Sequence, residues 1–119
     1  MKKNNRLPAN FGIVCGIAMF AQWAMFILTG QVPELQTAPF EIAFHLMAEG
    51  ITALGLIISS VLLLSKKTNA KFLYTVFSGM LLYSLIASSG YFAELGQWGF
   101  VVMFIGLLLI TMLCLFLLF

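Results

Sequence analysis

Four apolar runs, at about residues 11–29, 40–64, 72–89 and 97–119, decide what this chain can fold into. Each is close to the ~20 residues that an α-helix needs to cross the hydrocarbon core of a bilayer. Lipid offers the backbone no water, so such a run must satisfy its own N–H and C=O groups as a helix. Composition agrees. Hydrophobic residues make up 62% of the chain and charged residues 8%, where about a quarter of a water-soluble domain is charged. The connections between runs are too short to hold a soluble domain, and no internal repeat is evident. The expected fold is an all-α integral membrane protein: a four-helix antiparallel transmembrane bundle, with residues 1–119 as one domain.

Charge sets the expected orientation. The six basic residues form two clusters, Lys2, Lys3 and Arg6 before the first run and Lys66, Lys67 and Lys71 between the second and third. The four acids, Glu34, Glu41, Glu49 and Glu94, lie in the alternate connections or just beyond them. The positive-inside rule then puts both termini in the cytoplasm and the glutamate-bearing loops outside the cell membrane. Cations placed this way are topology signals, so lipid is the expected partner and nucleic acid is not. The polar lead-in at 1–10 resembles the charged start of a signal peptide. The run after it is too long and lacks an A-x-A pattern, so the segment is expected to be retained. Residues 30–39 and 90–96 read as turns, with Pro39 suited to the first turn of the second helix. Cys15 and Cys114, without any CxxC pattern, read as small core residues.

The second run is not purely apolar. It carries Glu41, His45 and Glu49, and His45 is the one histidine of the chain. At 100° per residue these three fall within about 80° of one another, and Thr52 and Ser59 share the arc. A rise of 1.5 Å per residue puts His45 roughly 8 Å and Glu49 roughly 13 Å along this helix, near mid-bilayer. Gln22 on the first run, and Ser84 and Ser88 on the third, come at similar depth. Tyr91 and Glu94 would cap the region from the last outer loop. The outer half thus holds four carboxyls and no lysine or arginine.

A charged side chain at the centre of a membrane helix costs about 2.5 to 3.5 kcal/mol even on the lenient insertion scale. Glu49 must therefore be protonated, pair with a protonated His45, or hold a cation. The first reading is an outward-facing site that binds or conducts a small cation or proton. His45, Glu49 and Glu41 are its candidate metal ligands for a divalent ion, and Gln22, Thr52, Ser84, Ser88 and Glu94 its supporting polar cluster. The alternative is an accessory or structural membrane subunit, where the same groups only fix helix packing. Gly12 and Gly16, and Ser84 and Ser88, are small-residue pairs that would suit a homo-oligomer or a larger membrane partner. A third reading is redox: a b-type haem on His45 with Met19, Met25, Met80 or Met103 opposite, or a quinone between His45 and Tyr83.

No nucleophile elbow, phosphate-binding loop, dinucleotide fingerprint or HExxH is present, which argues against an enzyme. In length and number of spans the chain resembles the small multidrug-resistance transporters, which use a membrane-embedded glutamate. That family carries it in the first span, where this chain has no acid, so the resemblance ends at size.

Overall fold

The apolar runs become α1 (Arg6–Leu28), α3 (Pro39–Leu64), α4 (Ala70–Glu94) and α5 (Trp98–Leu118), with a single short turn of helix, α2 (Glu34–Thr37), between the first two. The computed structural model describes residues 5–119, so Lys2 and Lys3 of the first basic cluster lie outside the described residues. All four long helices are long and apolar enough to cross a membrane. Pro39 opens α3, as expected from its missing N–H.

Three boundaries differ from the sequence expectation. α1 begins at Arg6, within the polar lead-in. The segment 30–39 is not all loop, because Pro33 starts the turn that becomes α2. The third helix does not stop at Ser89 but runs through Gly90 to Glu94. A lone glycine weakens a helix by about 1 kcal/mol without ending it. The stop is Gly96, whose φ of 74° gives the left-handed turn a helix terminus favours. Its N–H donates to the Ala93 carbonyl at 3.0 Å, and the Gln97 N–H donates to the Phe92 carbonyl at 2.9 Å. The extension carries Tyr91 and Phe92 on a rigid helix instead of a loop.

The helices form a ring in the order α1, α3, α4, α5. α1 lies closely on α3, α3 on α4 and α4 on α5, while α5 meets α1 along a much thinner seam. Small residues set the close contacts. A Cβ on Gly16 would stand 2.7 Å from the Ala53 carbonyl oxygen of α3, one on Gly12 would overlap the Ser60 hydroxyl, and one on Gly55 would overlap the Phe77 ring of α4. The Gly12–Gly16 pair is thus used inside the bundle, between α1 and α3.

The two ends of the ring are packed differently. At the basic end, Ala9, Leu63, Ala70, Tyr74 and Leu118 form a closed cluster. The Tyr74 hydroxyl is fully buried there and donates to the Pro8 carbonyl at 2.8 Å, which ties α4 to α1 across the ring. A buried tyrosine needs such a partner for its O–H. At the other end α2 lies beside α3, Val32 packs with Phe26 and Ile42, and the space between the helices stays open.

Gly16→Ala is expected to destabilise the bundle by about 1 to 3 kcal/mol, because the carbonyl it meets is backbone that cannot step aside. Gly50→Ala, where nothing lies within 4 Å, is expected to be neutral or stabilising by up to about 1 kcal/mol. Reversible unfolding of each variant in detergent or bicelles measures both.

Candidate functional site: an acid-lined cavity

A helix in lipid inverts the soluble pattern: apolar side chains face out, and small or polar ones turn in. α3 follows this. Phe44, Met47, Ile51, Leu54 and Ile58 are exposed at helical spacing, while Glu49, Thr52, Gly55, Ser59 and Ser60 are buried. That rotation aims Glu49 into a cavity of about 830 Å³ bounded by α1, α3, α4 and α5, which reaches from the α2 end to Phe11 of α1 and Leu107 of α5.

Glu49 is 7% exposed. The Ser84 hydroxyl of α4 donates a hydrogen bond to its Oε1. His45 Nε2, one turn earlier on α3, stands 3.6 Å from the same oxygen, an ion pair whenever the imidazole is protonated. The His45 ring meets Trp23 of α1 edge-on, with centroids 5.4 Å apart. Gln22 and Ser88 also line the space. Toward the mouth come Glu41 and Glu34, and the Tyr91 hydroxyl donates to Glu34 Oε1 at 3.1 Å. Three carboxyls therefore line the cavity, and neither lysine nor arginine does.

The remaining wall is apolar and aromatic. Phe92 of α4 stacks on Phe100 and Phe104 of α5 at 4.7 and 5.6 Å, and Phe26 of α1 meets Phe100 edge-on at 6.3 Å.

The structure gathers most of the residues expected from sequence. His45, Glu49, Glu41, Gln22, Ser84 and Ser88 all line the cavity. Two do not join it. Thr52 is buried outside the lining, and its hydroxyl donates to the Ala48 carbonyl of its own helix at 2.8 Å, the usual resort of a threonine inside a helix. Glu94 is the last residue of α4 and is exposed, because the loop expected to fold it over the site is helix instead. Glu34 occupies the place expected of Glu94. Ser59 likewise bonds its own helix, at the Leu56 carbonyl. Tyr83 is 77% exposed and does not line the cavity, so it does not share a pocket with His45. Of the methionines considered beside His45, Met19, Met25 and Met103 line the cavity and Met80 does not. Among the described residues no three His, Cys, Asp or Glu side chains converge as a metal-ligand group. Cys15 and Cys114 are buried free thiols.

Sequence reasoning missed the aromatic wall and Trp23. The spacing of Phe100 and Phe104, one helical turn apart, was a usable signal. Phe92 was hidden by reading 90–96 as a turn.

A family profile described as a domain of unknown function, DUF8058, matches residues 1–119. The chain belongs to the DUF8058 family. No curated protein and no solved structure matches it.

The Ser84–Glu49 contact joins two helices, and such bonds average about 0.6 kcal/mol, reaching about 1.7. A double-mutant cycle of Glu49→Ala and Ser84→Ala, scored by unfolding in bicelles, is expected to give a coupling in that range. A cycle of Glu49→Ala with Thr52→Ala is expected to be close to additive.

Proposed function

We propose that this DUF8058 member is an integral protein of the cell membrane with both termini in the cytoplasm, and that its cavity opens to the outer side and takes up a proton or a small cation at Glu49. The observation that carries this reading is the company Glu49 keeps: a buried carboxyl with Ser84 and His45 at one oxygen, in a cavity with two further acids and no lysine or arginine. An ionised carboxylate at depth costs about 2.5 to 3.5 kcal/mol on the most lenient scale. The compensating positive charge must come from His45 or from outside the chain.

A proton or a monovalent cation fits this donor set better than a divalent transition metal does. Protein zinc sites draw on three or four side chains, whereas His45 and Glu49 meet with no third His, Cys, Asp or Glu among the described residues. Glu41 lines the cavity but stands nearer its mouth. Haem has less support still, since Trp23 packs against the His45 ring. The accessory-subunit alternative draws on the Ser84–Glu49 bond itself, which joins α3 to α4 without any ligand.

Infrared difference spectra of the protein in lipid nanodiscs, recorded between acidic and alkaline buffer, test the site. A carboxyl C=O band is expected that Glu49→Gln removes and Ser84→Ala shifts. Glu34→Gln and Glu41→Gln serve as controls, because both carboxyls also line the cavity. A spectrum unchanged in Glu49→Gln would overturn the reading, and loss of stability alone would favour the accessory role.

Orientation has its own measurement. The native thiols are buried, so Gln36→Cys is expected to react with an impermeant maleimide on intact cells, and Thr68→Cys only after the membrane is opened.

A further inference from the structure

A cavity of about 830 Å³ is far larger than a proton or a bare cation requires. It lies in the range of about 300 to 1,000 Å³ typical of sites for small organic molecules, which combine apolar walls with a few placed polar groups. Here the polar groups sit at one locus, around Glu49, and aromatic rings make up much of the remainder.

The cavity is also open sideways. Val14, Ala18 and Met25 of α1 and Met103 of α5 line it, and all four are solvent-accessible, Val14 at 65%. They belong to α1 and α5, the two helices that meet along the thinnest seam of the ring. From Val14 to Met25 the seam runs about 16 Å along α1, roughly half the ~30 Å thickness of a hydrocarbon core. The opening is therefore at the depth of lipid chains. The α2 end is crossed by the bond from Tyr91 to Glu34.

We infer that the ligand of this cavity is a lipid-soluble amine, an amphiphile whose protonated nitrogen is held at Glu49 and whose apolar body passes between α1 and α5 from the membrane. The inference rests on the proposed role of Glu49 and adds the ligand class and its route. Charge complementarity selects the amine: three carboxyls line the cavity and no basic side chain other than His45 does. The ring of Trp23 beside His45, with Phe26 and Phe92 further along the wall, supplies faces that attract an organic cation. A neutral amphiphile would fill the apolar part and leave the acid unmatched. A hydrated metal ion would match the acid and leave the apolar part empty.

Trp23 lines the cavity and Trp98 does not, so a Trp98→Phe protein in nanodiscs reports on the site through Trp23 emission. Octadecylamine, added at increasing mole fraction in the bilayer, is expected to change that emission saturably, and octadecanol is not. Glu49→Gln in the same background is expected to weaken the amine by about tenfold or more, the scale of a lost charge-assisted contact. Ala18→Phe and Val14→Phe, both at exposed positions on the seam, are expected to slow the change by about tenfold while the Glu49 infrared band stays in place. Octadecanol acting as well as octadecylamine would overturn the ligand class. No saturable response to the amine, with the infrared band present, would overturn this inference and leave the proposed role of Glu49 standing. Loss of the band as well would remove both. Seam variants that respond at the wild-type rate would overturn the lateral route.

Discussion

One carboxyl governs the arrangement. In a bilayer Glu49 would face lipid only at a heavy penalty, and α3 is rotated to turn it inward, with its apolar face of Phe44, Met47, Ile51, Leu54 and Ile58 left outside. Once Glu49 points in, a hydrogen-bonding partner has to come from a neighbouring helix, and Ser84 of α4 supplies it. His45, one turn away on the same face, then necessarily shares the site. The Ser84–Glu49 bond thus adds to the close approach of α3 and α4 at Gly55 and Phe77, and it sets the acid inside the cavity.

The bundle divides its length between two kinds of packing. Toward the basic end, small residues let backbones approach: Gly12 and Gly16 against Ser60 and Ala53, Gly55 against Phe77. Tyr74 completes the closure with its bond to the Pro8 carbonyl. Toward the α2 end the side chains are large and aromatic, and Phe26, Phe92, Phe100 and Phe104 hold the helices apart around a space. Small residues draw helices together, while bulky ones set a wall. A vessel closed at one end and open at the other is the outcome, with its acid between the two regimes.

How much of this was legible depended on how local the deciding interaction was. Four helices, Pro39 at the start of α3 and the clustering of Glu41, His45 and Glu49 on one face depend on neighbouring residues alone, and each was readable. The end of α4 is less legible, because Gly90 is a stronger signal in composition than in energy, while Gly96 carries the actual left-handed turn. Because α4 continues to Glu94, that residue leaves the site, Phe92 joins the wall, and Glu34 takes the role of the mouth acid. Thr52 shows the reverse case. It lies on the same arc as Glu49, yet it does not line the cavity and its hydroxyl turns back on its own backbone.

From the residues alone, this chain was committed to four apolar helices and to an excess of acid with no lysine or arginine at the glutamate-bearing end. Those properties are sums over local sequence. Only the tertiary structure decided that Ser84 partners Glu49, that Trp23 meets His45, and that the thinnest seam lies between α1 and α5. Each of these depends on how helices distant in sequence are rotated against one another. In a chain whose helices are apolar nearly all round, periodicity scarcely specifies that rotation. Glycine contacts, ring sizes and the need to bury one carboxyl specify it instead, and these act only when the helices meet.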